Sequence, residues 1–181
     1  MPTEPDGPSR AVLVSAALLG LVAIGGILVL ARTATSSQSP AGPVAIASVP
    51  APNADSPSCR ALSAALPGRL GDFERAAVVQ PAPAGAAAWR EPAGGEPVII
   101  RCGMDRPAEF VVGSPIQVVD NVQWFQLEDP HSDSSTWISV DRPVYVTLTL
   151  PRRSGPTPIQ ALSDVIARVL PGQPIKPGPP N

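Results

Sequence analysis

The stretch Val144-Tyr-Val-Thr-Leu-Thr-Leu150 decides the fold class of this chain. Apolar and hydroxyl-bearing residues alternate along it, and this period of two assigns them to opposite faces of a β-strand. Antiparallel sheets commonly pack one face and expose the other, whereas parallel sheets are covered on both faces. The stretch therefore predicts an antiparallel strand with one buried face and one wet face.

Four further stretches predict neighbouring strands. Residues 116–119 and 122–127 are separated by Asp120-Asn121, two residues that tolerate positive φ, so the two strands are expected to form a hairpin. Short apolar runs at residues 98–101 and 137–140 predict two more strands. The sequence thus predicts a small, mostly antiparallel sheet of about five strands.

Two helices are predicted beside this sheet. Residues 59–66 carry apolar side chains at helical spacing and stop before Pro67-Gly68. A second helix is expected to begin with Thr157 as N-cap and Pro158 as its first residue, and to end at Pro171-Gly172. Its apolar stripe consists of Ile159, Leu162, Val165, Ile166 and Val169. Helices packed on an antiparallel sheet define an α+β fold.

Residues 11–31 predict a transmembrane signal anchor. This run has no charged residue, lies between Arg10 and Arg32, and as a helix would be about 31 Å long, enough to cross a bilayer. It is longer than the apolar core of a cleaved signal peptide and lacks a small-x-small site close behind it. An uncleaved anchor is therefore favoured, with residues 1–10 as a cytoplasmic tail and the rest of the chain extracytoplasmic; secretion after signal cleavage is the alternative.

Composition divides the remainder of the chain. Residues 32–58 are rich in Pro, Ser and Ala and predict an extended tether, because such a segment cannot bury enough apolar surface to offset its ordering entropy. Residues 171–181 contain five prolines and predict a disordered tail. Residues 59–170 remain as a single extracytoplasmic domain.

The two cysteines of the chain, Cys59 and Cys102, are expected to form a disulfide, because exported domains form them readily. A catalytic thiol would need a base beside it, and the chain has one histidine. The net charge of −2 argues against nucleic acid as a partner. The single lysine against twelve arginines is typical of GC-rich codons and indicates a high-GC bacterial source.

The loop around residues 128–135 is the best local cluster of reactive side chains. Asp129, His131 and Asp133 alternate along it and would suit a divalent cation or a hydrolytic centre. Catalytic groups are normally held by separate rigid elements, and the sequence contains no G-x-S-x-G, S-x-x-K or H-E-x-x-H motif. A solvated connector explains the same residues, so no catalytic, metal or cofactor site is predicted, and these three remain weak candidates.

The three tryptophans, Trp89, Trp124 and Trp137, supply further weak candidates for ligand contact. Exported indoles often stack on sugars or peptides, although they are more often core residues of a small sheet. Trp124 lies in a strand with apolar bulk on both faces and is carried forward as a candidate ligand contact.

Several motifs together resemble a known family. The most specific is Arg101-Cys102-Gly103 with the upstream Cys59, within the longer run Pro97-Val-x-x-Arg-Cys-Gly. In order along the chain, the others are Leu66-Pro67, Trp89, Val122-x-Trp124 and Asp141-Arg-Pro-Val-Tyr-Val146 with Pro151. This order resembles the actinobacterial exported domain of unknown function 3515 family over residues 59–170, although Met104 stands where members often have valine. The resemblance implies an envelope protein, anchored or secreted, and brings no established activity.

The sequence therefore predicts a non-enzymatic, membrane-tethered extracytoplasmic module that binds an envelope protein or a cell-wall ligand. The membrane itself is a partner through residues 11–31. One alternative is a cell-wall hydrolase or transferase that uses the Asp129/His131/Asp133 loop. Another is a structural accessory subunit of a membrane complex.

Overall fold

Eight strands form one antiparallel sheet in the computed structural model, which describes residues 42–127, 129 and 132–180. The strands are β1 (Arg69–Leu70), β2 (Phe73–Ala76), β3 (Ala86–Arg90), β4 (Val98–Met104), β5 (Ile116–Val119), β6 (Val122–Leu127), β7 (Ser134–Ser139) and β8 (Tyr145–Pro151). Their order across the sheet is β1-β2-β3-β4-β8-β7-β6-β5. Two four-stranded meanders are thus joined side by side through the central pair β4–β8.

The described strands outnumber the predicted five because β1, β2 and β3 lack a recognisable strand signal. β1 has two residues, and β3 reads Ala-Ala-Ala-Trp-Arg, which has no β-branched residue. β3 is nevertheless fixed between β2 and β4 by its hydrogen-bonded neighbours. The predicted hairpin is confirmed: β5 and β6 pair across Asp120 (φ 43°) and Asn121 (φ 65°).

Alternation along the strands separates two faces of the sheet. In β8, Val146, Leu148 and Leu150 belong to the main core, and the residues between them face the other way. In β4, Val98, Ile100 and Cys102 do the same. The face that carries this core is called the inner face below, and the opposite one the outer face.

Two helices, α1 (Pro57–Ala65) and α2 (Thr157–Val169), are described, and they pack against each other on the inner face. α2 also contacts β1 at one end of the strand order and β5 and β6 at the other, so the sheet curls around it. The predicted cap of α2 is wrong: Thr157 is the first helical residue, Pro156 precedes it, and no described side chain caps this end. Ser56 caps α1 by accepting a hydrogen bond from the Cys59 amide at 3.2 Å.

The main core is closed by two fully buried indoles. Trp89 on β3 donates from Nε1 to the Pro67 carbonyl, and Trp124 on β6 donates from Nε1 to the Ser163 hydroxyl, both at 2.9 Å. A buried indole N–H without an acceptor is costly, so each bond fixes an aromatic anchor of the sheet.

The predicted disulfide is confirmed. Cys59 in α1 and Cys102 in β4 are bonded, with their Cα atoms 5.6 Å apart and both residues buried. The bond ties the first helix to the central strand pair. The fold predicted for this part of the chain, an antiparallel sheet with two helices and one disulfide, is therefore confirmed.

The predicted tether is wrong over residues 44–56, because part of this segment packs on the sheet. Val44 and Ile46 are buried on the outer face, and Val44 bridges to Val78 in parallel. Ala54 is buried where its backbone crosses Gly103. A proline-rich segment still has amides and apolar side chains between its prolines, and these residues reach an existing sheet at little entropic cost.

The predicted disordered tail is wrong for the same reason. Gly178 bridges to Val111 and donates its amide to the Phe110 carbonyl at 2.8 Å. Ile175 packs against the small outer-face cluster around Phe110, and the Gln173 amide donates to the Asp141 carbonyl at 2.8 Å. The folded unit therefore extends beyond residues 59–170 at both ends.

The predicted anchor at residues 11–31 and the tail at residues 1–10 lie outside the described residues. Within the described ranges, no helix is long and apolar enough to cross a membrane.

Candidate functional site

Two adjoining clefts lie where the β8–α2 loop meets the sheet. The smaller has a volume of about 300 Å³ and the larger about 510 Å³. They share the wall formed by Pro151, Arg152 and Ser154. Concave sites of this size that combine apolar and polar groups are where proteins usually hold small ligands.

The smaller cleft, called the indole cleft below, has an apolar floor and a polar rim. Its floor consists of Val119, Trp137, Leu150 and Ile159. Its rim includes Gln117 on β5, Gln160 on α2 and Ser135 on β7. Trp137 is partly buried and donates from Nε1 to the Ser135 hydroxyl at 3.2 Å, which fixes the ring. The indole cleft thus offers an oriented aromatic surface surrounded by amide and hydroxyl groups.

The larger cleft, called the charged cleft below, carries opposite charges. Glu91 and Glu96 come from the β3–β4 turn, and Asp133 comes from the segment before β7. Arg152 and Arg153 come from the β8–α2 loop. Both signs of charge in one cleft suit a ligand that itself carries both signs.

Arg152 bonds to each of the three described residues between β6 and β7. Its Nε donates to the Ser132 carbonyl at 2.8 Å and its Nη2 to the Asp129 carbonyl at 2.9 Å. Its amide also donates to the Asp133 carbonyl at 3.1 Å. These bonds occupy much of the Arg152 guanidinium and position Asp133 beside the charged cleft.

The weak site candidates fall in different places. Asp133 is exposed and lines the charged cleft, whereas Asp129 is exposed but does not line either cleft. His131 lies outside the described residues. Trp124 is fully buried against α2, so it belongs to the core, and it lines neither cleft.

The sequence raises Trp137 as one of three indoles that could contact a ligand, but it does not identify the indole cleft as a site. The position of Trp137 beside Gln117 and Gln160 depends on the packing of β5, β7 and α2. The available signal is the indole itself, at one of three positions in the chain.

The metal interpretation of the loop stays a prediction, because His131 lies outside the described residues. In the part of the chain that the structure describes, His, Cys, Asp and Glu side chains form no group of three able to hold a metal ion.

The charged pair in the Asp141-Arg-Pro motif is part of the scaffold. Arg142 contacts the Asp141 carboxylate at 2.7 Å, with both side chains almost wholly buried, and donates from Nη2 to the Asn121 carbonyl at 2.7 Å. The pair therefore ties the β7–β8 connection to the β5–β6 turn. A buried pair of this kind specifies geometry more than it adds stability.

Comparison with known proteins gives a family and no named relative. No curated protein and no solved structure matches the chain. The family described as "Protein of unknown function (DUF3515)" matches residues 17–175. This range includes every strand and helix described above. The chain therefore belongs to the DUF3515 family of proteins of unknown function.

Proposed function

We propose that this protein is a non-enzymatic, membrane-tethered extracytoplasmic module that binds a sugar-bearing component of the cell envelope. The apolar run at residues 11–31 supports the tether, and the Cys59–Cys102 disulfide is compatible with an oxidising compartment. The observation that carries the proposal is the indole cleft, with Trp137 on its floor and two glutamines on its rim.

The chemistry of the indole cleft favours a sugar. A pyranose presents C–H groups on its face and hydroxyl groups around its edge. Trp137 offers a flat apolar surface for the face, while Gln117, Gln160 and Ser135 offer donors and acceptors for the edge. A volume of about 300 Å³ lies at the lower end of the range for small-ligand sites, which suits one or two sugar rings.

The charged cleft extends this proposal to a substituted glycan. It continues from the indole cleft across the shared wall of Pro151 and Arg152. A peptide substituent on the sugar carries carboxylates that would meet Arg153 and amines that would meet Glu91 or Glu96. A glycan bearing a short peptide, as in a cell-wall fragment, therefore matches both clefts.

The test uses the full-length chain and a soluble disaccharide-peptide fragment of peptidoglycan. Trp89 and Trp124 are fully buried, so a ligand-dependent change in tryptophan emission is expected to come from Trp137. Gln117→Ala and Gln160→Ala should each weaken binding by about 3- to 10-fold, as expected for losing one hydrogen bond.

Gln123→Ala is the matched control. Gln123 lies on β6 but shares the outer face with Val118, its partner in β5. Its removal should leave both emission and affinity unchanged. The proposal would be contradicted if a saturating concentration of the fragment left the emission spectrum unaltered. It would also be contradicted if the Gln117 and Gln160 variants bound the fragment with the same affinity as the parent chain.

Hydrolysis remains the competing function because Asp133 lines the charged cleft. Mass spectrometry of the same mixture after prolonged incubation separates the two functions. A binding module returns the fragment intact. Cleavage products that disappear in Asp133→Asn would replace the binding proposal by the hydrolase.

A further inference from the structure

The structure explains two residues of the Arg101-Cys102-Gly103 motif and leaves the third without a partner. Cys102 forms the disulfide. Gly103 has φ of +89°, its carbonyl accepts from the Asn53 amide at 3.0 Å, and a Cβ there would overlap the backbone of residues 53–54. Only glycine allows that crossing. Arg101 takes part in neither arrangement.

Arg101 holds an unpaired charge in the centre of the sheet. It lies on the outer face of β4, is only partly exposed, and makes no hydrogen bond or ion pair with any described residue. Its Nε is buried without an acceptor. Burial lowers the pKa of the Arg101 guanidinium, because desolvation disfavours its charged form.

Two other arginines have a buried Nε without an acceptor, but their terminal nitrogens are used. Arg90 donates from Nη1 to the Gly42 carbonyl at 2.8 Å, and Arg142 pairs with Asp141. The terminal nitrogens of Arg101 are not buried, so they reach the surface with N–H groups that no described residue accepts. Arg101 thus differs from Arg90 and Arg142: its Nε is buried, and its terminal nitrogens donate to no described residue.

Threonine hydroxyls lie next to Arg101 on the same face. Thr147 is directly opposite Arg101 in the β4–β8 pairing, and Thr149 is two residues further along β8. Thr136 on β7 is directly opposite Thr149. Opposite residues of an antiparallel pair have Cβ atoms about 5 Å apart. None of these three hydroxyls forms a hydrogen bond within the described part of the chain.

These four residues, called the outer-face strip below, lie between two covered areas. On one side Val44 and Ile46 pack over β3 and the start of β4. On the other, Phe110 and Ile175 pack over β6 and β7. The strip is therefore a band of polar groups with an apolar cluster on each side.

We propose that the outer-face strip binds a phosphate group. Every polar group of the strip offers a donor, and none is a carboxylate that would repel an anion. A guanidinium fork matches phosphate geometry, and a phosphate has more acceptor oxygens than a carboxylate to meet the surrounding hydroxyls. The site lies on the face opposite the indole cleft and does not rest on the proposed function.

The first test compares stability without ligand. In chloride buffer, Arg101→Met should raise the melting temperature of the full-length chain by a few degrees, because methionine removes a desolvated unpaired charge and keeps an apolar stem. A purely structural arginine predicts the opposite sign. A melting temperature lowered by Arg101→Met in chloride would overturn the proposal.

The second test measures binding of inorganic phosphate, as the rise in melting temperature over chloride at equal ionic strength. The parent chain should show a saturable rise. Arg101→Met should weaken the apparent affinity at least tenfold, Arg101→Lys should recover part of it, and Thr147→Val should weaken it about threefold. Arg168→Gln, which removes an exposed cation of α2, should behave as the parent.

Glycerophosphoglycerol, a phosphodiester, identifies the source of the phosphate in the same assay. If the diester binds at least as tightly as inorganic phosphate and its binding depends on Arg101, the ligand is a phospholipid headgroup. Preference for inorganic phosphate with the same dependence supports a soluble phosphate. A parent chain that shows no rise with either compound, or an Arg101→Met chain that keeps the full rise, would overturn the site. Neither result bears on sugar binding in the indole cleft, so the two proposals fail separately.

Discussion

Reducing the Cys59–Cys102 disulfide should remove a large part of the stability of the domain. The two residues are 43 positions apart, and closing a loop of that length lowers the entropy of the unfolded chain by an amount worth about 4 kcal/mol at 25 °C. Domains of this size unfold with free energies of about 5–15 kcal/mol. The melting temperature should therefore fall by about 12–16 °C on reduction.

Urea unfolding of oxidised and reduced protein measures this difference directly. The unfolding midpoint should fall, and the slope of the free energy against urea should rise, because the uncrosslinked unfolded chain exposes more surface. A Cys59→Ala/Cys102→Ala double variant should not respond to reductant, which controls for effects of the reductant elsewhere. Complete reduction, verified by thiol labelling, with a change below about 1 kcal/mol would refute the argument from the unfolded chain.

Further consequences concern the crossing glycine, the buried indole and the outer face. Gly103→Ala should destabilise the fold by at least about 2 kcal/mol because of positive φ and overlap, whereas Gly113→Ala, with φ of +91° and open space, should cost about 1 kcal/mol in thermal unfolding. Ser163→Ala should cost about 1–3 kcal/mol by denaturant titration, because it leaves a buried indole N–H without its acceptor. Tyr145 is the only tyrosine of the chain, so absorbance at 295 nm follows the ionisation of this one phenol. Burial raises the pKa of the phenol above the usual value near 10.0, and the Arg106 charge offsets part of that rise. The titration midpoint of the phenol should lie above 10.0 and rise further in Arg106→Gln. The free energy of unfolding should decrease as pH increases past the phenol pKa of the unfolded chain, because the folded state holds the phenolic proton more tightly.

Local patterns in the sequence were sufficient for the second meander and both helices. The alternation of Val144-Tyr-Val-Thr-Leu-Thr-Leu150 produced β8, and Asp120-Asn121 produced the β5–β6 hairpin with positive φ at both positions. The spacing of apolar residues predicted α2, with its N-terminus one residue from the observed position. In each case, a period of two or 3.6 and its terminating residues lie within one short stretch.

The first three strands and the ends of the domain depended on the tertiary structure. β1 to β3 are short or alanine-rich, so their strand conformation comes from pairing with neighbours and not from their own residues. Residues 44–46 and 173–178 are composed like disordered chain, yet a few apolar side chains and amides dock on a sheet that already exists. Composition measures what a segment can do alone, and these segments do not fold alone.

The candidate sites show the same division. The sequence supplied the pairing of Cys59 with Cys102, because a chain with two cysteines leaves each of them a single partner. It did not place Trp137 beside Gln117 and Gln160, or Arg101 beside Thr147, since these contacts join residues from separate elements. Which tryptophan is buried and which lines a cleft is decided by strand register and by the helix that packs above it. Such neighbours are set by long-range packing, which no local period of the sequence encodes.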